Sequence, residues 1–189
     1  MVFKKKQIEV EDIETHVARD STAAFLFTVL VGLWAYWLLP QHLHLPADQI
    51  SGLLTGIQLT TVPFMVLLTA VLLVSYERRR SVSEWLVVEC HSPSQCLTFK
   101  ITYLQNTLEQ TLLFVGALMI GSTVLYGDMF AFIYAATFLF LVGRIAFYFG
   151  FRKHPIRRVF GMALTMLPTI ILYVFSIAVF AKHVFQTIL

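Results

Sequence analysis

The sequence predicts an all-α integral membrane protein with five membrane-spanning helices. Of its 189 residues, 58% are hydrophobic and only 13% are charged, and the mean hydropathy is +0.75. Soluble globular domains carry about 25% charged residues, so a water-soluble fold does not fit this composition. Five apolar stretches reach the roughly 20 residues needed to cross a hydrocarbon core about 30 Å thick. They cover residues 22–39, 52–76, 101–126, 128–150 and 159–182.

The connections between these stretches predict how neighbouring spans pack. The turn Tyr126-Gly127-Asp128 is so short that the third and fourth spans must form an antiparallel hairpin. Gly52 and Gly56 lie four residues apart at the start of the second span. Small residues at this spacing let two helices approach closely, so we expect a tight helix contact there.

The basic residues predict the orientation of the chain. Their clusters flank apolar runs and form no continuous basic face, so the net charge of +3 indicates a membrane surface and not nucleic acid. By the positive-inside rule the N-terminus is cytoplasmic and the C-terminus lies on the opposite side. Twelve of the fourteen basic residues then share the cytoplasmic side: Lys4, Lys5, Lys6, Arg19, Arg78, Arg79, Arg80, Lys100, Arg152, Lys153, Arg157 and Arg158.

The N-terminal part is interpreted as a cytoplasmic tail over 1–21 followed by an uncleaved span over 22–39. A secretory signal peptide is the alternative, but the leader is long and partly acidic, and no small-residue cleavage site follows Trp34. Between the second and third spans, segment 81–99 mixes apolar and polar residues and fits either a short interfacial helix or an ordinary loop.

Segment 81–99 also carries both cysteines of the chain, Cys90 and Cys96. Together with His91 they match neither the spacing nor the ligand number of a zinc site, so we expect no metal there. On the cytoplasmic side both thiols should stay reduced.

Three polar residues within the spans require protein partners. Asn106 and Glu109 lie three residues apart and therefore on one side of the third span. Arg144 lies roughly 12 Å inside Arg152, and Glu109 roughly 13 Å inside Lys100, at about 1.5 Å per residue. These matched depths predict a direct or water-bridged Glu109–Arg144 contact, which would either lock the helices or belong to a functional site.

Arg157 and Arg158 follow Pro155 at the start of the fifth span. They are explained either as interfacial anchors or as the rim of a polar pocket that also contains Asn106, Glu109 and Arg144. A pocket with this charge would suit an anionic ligand.

Two motifs resemble the MAPEG family (membrane-associated proteins in eicosanoid and glutathione metabolism). The first is Asn106-Thr-Leu-Glu109, similar to the family's Asn-x-x-Glu. The second is Gly143-Arg144-Ile-Ala-Phe147-Tyr-Phe-Gly150-Phe151, followed by Pro155-Ile-Arg157-Arg158-Val-Phe-Gly161. The resemblance covers roughly residues 52–182, and the additional first span is similar to the five-span, mattrin-like branch.

The resemblance implies a homotrimer of four-helix subunits with one extra N-terminal transmembrane helix in this chain. A glutathione site would lie between subunits near the cytoplasmic side, beside an apolar groove for a lipophilic small molecule. The implied cofactor-binding residues are Asn106, Glu109 and Arg144. The implied catalytic residue is Arg157 from the Pro-Ile-Arg alignment or Arg158 from the Arg-x-x-Gly spacing.

The departures from the family pattern leave the activity open. Glutathione-using members have an arginine where this chain has Thr102, and aromatic hydroxyls or a histidine where it has Phe147 and Phe151. These differences favour a non-catalytic lipid-binding scaffold that holds glutathione weakly. The alternative is a glutathione-dependent transferase or peroxidase acting on lipophilic electrophiles.

Overall fold

The computed structural model describes residues 2–80 and 95–188, which are helical almost throughout. The α-helices are α1 (Val2–His42), α2 (Gln49–Leu59), α3 (Thr61–Arg80), α4 (Gln95–Val124), α5 (Ala131–Lys153) and α6 (Val159–Ile188), with 3-10 turns at Gly127–Phe130 and Pro155–Arg158. The predicted five spans are confirmed, at Ile13–His42, Gln49–Arg80, Gln95–Val124, Gly127–Lys153 and Pro155–Lys182. The chain is therefore a multi-pass integral membrane protein.

The N-terminal segment and residues 95–99 extend the neighbouring helices. Helix α1 begins at Val2, so the segment interpreted as a tail over 1–21 is helical and continuous with the first span from that residue on. Residues 81–94, with Cys90 and His91, lie outside the described residues, as does the choice between interfacial helix and loop for that part. Residues 95–99 belong to α4, and Cys96 is an exposed free thiol.

The second span is divided into α2 and α3 at Thr60 because of Pro63. Proline has no N–H, so the carbonyl of Leu59 has no intrahelical donor at that position. The Thr60 N–H is shared between the carbonyl oxygens of Gly56 and Ile57, each at 3.2 Å. The division at Thr60 therefore lies within the helical turn just before Pro63, next to the Leu59 carbonyl that lacks a donor.

Helix α2 begins at a capping box formed by Asp48. The Asp48 carboxylate accepts the backbone N–H groups of Ile50 and Ser51, each at 3.2 Å, and the Ser51 hydroxyl at 2.7 Å. The Ser51 hydroxyl contributes most to lowering the pKa of this carboxyl, because its hydrogen bond favours the ionised form.

The predicted close helix contact at Gly52 and Gly56 is confirmed. Both glycines are buried against α4, where they face Ser122. A Cβ at Gly52 would stand 3.0 Å from the Ser122 carbonyl oxygen, and one at Gly56 would collide with the Ser122 side chain. The α2–α4 crossing therefore depends on the absence of side chains at these positions.

The core lies between α4, α5 and α6, and α5 is the central helix. The rings of Phe114 and Phe140 stack at 4.5 Å across the α4–α5 hairpin, which confirms the predicted antiparallel pair. The hairpin turns at Gly127, whose φ of 60° is a left-handed conformation that favours glycine. Its N–H donates to the Pro46 carbonyl at 2.7 Å and so ties this turn to the α1–α2 connection.

Helices α5 and α6 approach closely at two glycines of the second motif. A Cβ at Gly161 would collide with the backbone nitrogen of Phe147, and one at Gly143 would collide with the Thr165 methyl group. This contact brings Thr165 beside the next residue of α5, Arg144. Helix α1 also packs against α5 and α6, through contacts of Ala24 with Leu139 and Leu164.

Candidate functional site

The two ends of the bundle differ in charge. At one end, called here the basic end, α3 finishes with Arg78, Arg79 and Arg80, and the α5–α6 turn carries Arg157 and Arg158. Lys100 at this end donates to the Glu77 carboxylate at 2.5 Å and joins α3 to α4. The opposite end contains the Pro46 and Gly127 connections described above.

Arg144 lies inside the helical core below the basic end. It is fully buried, with 0% of its surface exposed. One guanidinium nitrogen (Nη1) donates to Asn106 Oδ1 at 2.8 Å, and the other (Nη2) donates to Thr165 Oγ1 at 2.7 Å. The Thr165 hydroxyl in turn donates a hydrogen bond to the Met162 carbonyl at 2.9 Å. Arg144 therefore links α4, α5 and α6 through charge-assisted hydrogen bonds.

Aromatic rings pack against this guanidinium, whose Nε has no hydrogen-bond partner among the described residues. Its central carbon lies 4.8 Å from the centroid of the Phe147 ring and 6.0 Å from that of Phe140. The rings of Tyr103 and Phe147 are 5.9 Å apart. A desolvated cation over an aromatic face gains about 2 kcal/mol, so these rings offset part of the cost of burying the charge.

Asn106 and Glu109 have different environments, although three residues separate them. Asn106 reaches Arg144, whereas Glu109 is exposed and accepts a hydrogen bond from Gln105 Nε2 at 3.5 Å. Among the described residues the ion pairs are Arg19–Asp20 and Lys100–Glu77. The predicted direct contact between Glu109 and Arg144 is therefore wrong within one chain, where the guanidinium donates instead to the neutral Asn106 and Thr165. The water-bridged form of the contact stays a prediction.

Arg157 and Arg158 point to different sides of the α5–α6 turn. The Arg158 guanidinium lies 5.0 Å from the Phe151 ring centroid, and that ring is 5.7 Å from Phe147, which in turn contacts Arg144. Arg157 lines a separate cleft formed with α1. Of the two arginines, Arg158 is therefore the one that shares the aromatic cluster with Arg144.

Of the three positions that depart from the family pattern, Phe147 and Phe151 lie in this cluster, and Thr102 is a half-buried residue of α4. Phe147 is fully buried beneath the Arg144 guanidinium, and Phe151 packs against Phe99 at a ring distance of 5.0 Å. The Thr102 hydroxyl donates to the Thr98 carbonyl of its own helix at 2.9 Å. At these positions the chain presents apolar rings and a hydroxyl whose hydrogen is already used.

A separate apolar cavity lies among α1, α5 and α6, nearer the opposite end. Its volume is about 460 Å³, and residues from all three helices line it. Gly32 and Leu33 contribute from α1, Phe132 and Ala136 from α5, and Phe175 from α6. Cavities of several hundred Å³ are large enough for small lipophilic molecules.

Sequence reasoning did not find Thr165 and Tyr103. Thr165 lies one turn after Gly161, and a hydroxyl beside a tight glycine contact is a usable signal for a partner of a buried charge. Tyr103 lies one turn before the Asn106-to-Glu109 motif and contacts Phe147 and Tyr148 by its ring. An aromatic residue in an apolar span gives no comparable signal.

The fold and this site define a class, that of multi-span helical membrane proteins with a guanidinium buried among three of their helices. The MAPEG family model matches residues 58–178, which is more than half of the chain. The chain belongs to the MAPEG family. Comparisons with curated proteins and with solved structures give no match. The matched region contains Asn106, Glu109, Arg144, Arg157 and Arg158, whereas α1 lies outside it.

Proposed function

We propose that this protein is a non-catalytic lipid-binding scaffold that assembles as a homotrimer and holds glutathione at most weakly. Its lipophilic ligand would bind in a cavity between subunits. The five spans and the family membership support the placement in a membrane and the relation to lipid or glutathione.

The observation that carries this proposal is the environment of Arg144. A cofactor-binding arginine must be reachable by the ligand, and here the guanidinium is fully buried, with one hydrogen bond from each terminal nitrogen to Asn106 and Thr165 inside one chain. Rings of Phe147 and Phe140 cover the faces of the group. The Arg144 Nε has no hydrogen-bond partner among the described residues, but a glutathione carboxylate could reach it only if the surrounding helices moved apart, so we assign the arginine the role of a link between helices.

The exposed face of α4 supports assembly into an oligomer. Glu109 is exposed within a span, where a charged side chain in contact with lipid costs about 2.5–3.5 kcal/mol on insertion scales. Its neighbours Leu108 and Leu112 are also exposed on the same side of the helix. A second subunit packed on this face would give Glu109 protein partners and would form the wall of an intersubunit cavity.

The apolar cavity among α1, α5 and α6 supports a lipophilic ligand. Its walls consist almost wholly of hydrocarbon and aromatic groups, so it would favour an acyl chain or another hydrophobic molecule over a tripeptide. The same preference is expected of a cavity bounded by the apolar outer face of α4.

The positions occupied by Thr102, Phe147 and Phe151 account for the proposed weak binding of glutathione. Each hydrogen bond to a charged group contributes about 1.5–3 kcal/mol, so the loss of two or three would weaken binding by about two to six powers of ten. The glutathione-dependent transferase or peroxidase remains the second candidate because Arg158 is only half-buried. Its guanidinium could stabilise a thiolate.

Glutathione titration into the purified assembly tests the proposal. A ligand that binds the native state must raise its apparent thermal stability, by about 1.4 kcal/mol at tenfold its Kd. We expect little or no shift at millimolar glutathione and no turnover of a model lipophilic electrophile. Turnover that Arg158→Ala abolishes and Arg157→Ala preserves would establish the enzyme instead, with Arg157→Ala as the charge-matched control.

The orientation in the membrane is a separate proposal, with the N-terminus cytoplasmic. It rests on the positive-inside rule and on the basic end described above. A cysteine introduced at position 3 should react from the cytoplasmic side only, and one at position 187 from the opposite side only, in a variant without Cys90 and Cys96. Labelling of both from one side would contradict five crossings.

A further inference from the structure

A cleft at the basic end lies between α1 and the α5–α6 turn, away from the Arg144 cluster. Its volume is about 830 Å³. The side chains that can carry positive charge come from two regions far apart in sequence and are His16, Arg19, Lys153, His154 and Arg157. We propose that this cleft binds the phosphate group of an anionic phospholipid.

The charge of the cleft favours an anion. Arg19, Lys153 and Arg157 are exposed cations, and Asp20 is the acidic residue among those that line the cleft. Arg19 contacts Asp20 at 3.3 Å, but 69% of the Arg19 side chain is exposed, so this ion pair is weak. Three cations against one carboxylate leave an excess of positive charge even when both histidines are neutral.

His154 adds a directed donor to this charge. Its Nδ1 accepts the backbone N–H of Ile156 at 3.3 Å, at the start of the Pro155–Arg158 turn. A neutral imidazole that accepts at Nδ1 carries its hydrogen on Nε2. The ring is exposed and lines the cleft, so this N–H is available to a phosphate oxygen.

The depth of the cleft favours a lipid over a soluble anion. Arg19 lies three residues before the apolar stretch 22–39, and Lys153 and Arg157 lie between the stretches 128–150 and 159–182. Basic residues at these positions lie near the phosphate groups of the bilayer. Phe149, which is exposed, and Ile156 add apolar surface to the cleft wall beside which the glycerol and the first part of the acyl chains would lie.

The cleft exists because of α1. The matched family region begins at residue 58, so His16 and Arg19 come from a helix outside it. Gly150 lets the turn approach α5 closely, because a Cβ there would collide with the Arg157 carbonyl. The same approach holds the backbone of Arg157 beside Gly150, where its side chain lines the cleft together with His16 and Arg19 of α1. Arg157 lines this cleft, whereas Arg158 lies in the aromatic cluster with Arg144, so the lipid proposal does not rest on the intersubunit cavity or on glutathione.

The test measures phospholipid binding to the full-length detergent-purified protein by native mass spectrometry and by thermal stability. Phosphatidylglycerol should bind and raise the unfolding temperature more than phosphatidylcholine does. Each basic residue near anionic lipid is worth about fivefold in affinity, so Arg19→Gln with Arg157→Gln should weaken phosphatidylglycerol binding about 30-fold. Asp20→Asn should strengthen it.

Arg79→Gln with Arg80→Gln is the charge-matched control, because both side chains are exposed at the basic end and neither lines the cleft. Equal weakening by the two double variants would overturn the proposal in favour of a diffuse surface attraction. Stabilisation by inorganic phosphate equal to that by phosphatidylglycerol would overturn the lipid and indicate a soluble anion. If the protein does not bind glutathione, by contrast, the expected binding of phosphatidylglycerol is unaffected.

Discussion

The inner and outer faces of helix α4 carry similar polar residues but depend on different partners. On the inner face Asn106 joins Arg144, and Thr107 and Gln110 are buried. On the outer face Gln105 and Glu109 bond to each other and are exposed. A polar group in a span needs protein neighbours, so the inner face stabilises one chain and the outer face is predicted to stabilise an assembly.

The largest effect is expected from removing both polar partners of Arg144. Asn106→Leu combined with Thr165→Val leaves a buried guanidinium without an acceptor, at a cost of about 3–5 kcal/mol in the free energy of unfolding. Denaturant titration in mild detergent measures this change. Adding Arg144→Met should recover most of the loss, because the stranded charge is then absent.

The matched control for this pair lies on the outer face. Gln105→Leu with Thr102→Val removes an amide and a hydroxyl of the same kinds, but neither bonds to Arg144. We expect a change within about 0.5 kcal/mol for the single chain. A loss as large as that of the inner pair would mean that the two faces do not differ as described.

The spans, their hairpin and the glycine contacts could be predicted from the sequence because each depends on local pattern. The apolar length of a span, a three-residue turn and the Gly52-to-Gly56 spacing can each be recognised in a short stretch of sequence. They require no information about residues far along the chain. The division at Thr60 had a local signal in Pro63. The extension of helix α1 back to Val2 had no such signal in the hydropathy pattern, because charged residues interrupt the apolar run in this segment.

The partner of Arg144 could not be predicted, because it depends on the rotation of α4 about its axis. Asn106 and Glu109 are about 60° apart on the helix, and charge alone favours the carboxylate. The rotation is decided by contacts along the whole helix, including Phe114 on Phe140 and Ser122 on Gly56. With those contacts made, Asn106 faces α5 and Glu109 faces outward.

A smaller effect is expected from adding a methyl group at the α5–α6 contact. Gly161→Ala places a Cβ against the backbone of Phe147 and Gly143, which cannot move as a side chain end can. Such overpacking costs about 1–3 kcal/mol in unfolding free energy. The shift should also disturb the Thr165–Arg144 hydrogen bond and so test how tightly the inner face is held.

Gly32→Ala is the control for this substitution in the peripheral helix α1. The nearest atom to a Cβ there is a ring carbon of Phe132 at 3.8 Å, an ordinary contact. Alanine favours the helix over glycine by about 0.5–1 kcal/mol, so this variant should be neutral or slightly more stable. Thermal unfolding of both variants measures the difference, and a destabilising Gly32→Ala would contradict the ordinary contact distance beside Gly32.

The smallest effect on the single chain is expected from Glu109→Gln, which keeps the shape of the side chain and removes its charge. Because Glu109 contacts Gln105 of its own helix and no cation among the described residues, unfolding free energy should change by about 0.5 kcal/mol or less. If a neighbouring subunit supplies a charged or polar partner, the same variant loses about 1.5–3 kcal/mol of association free energy, or roughly 10- to 150-fold in the dissociation constant. The detergent-corrected particle mass, followed on dilution, should then fall from trimer towards monomer.

Glu77→Gln is the control with the opposite expectation. Because Glu77 pairs with Lys100 within the chain, this variant should alter the free energy of unfolding without altering the particle mass. A wild-type particle that is monomeric at every concentration, or a Glu109→Gln variant that unfolds as readily as the variant without Asn106 and Thr165, would contradict the assignment of the outer face to assembly.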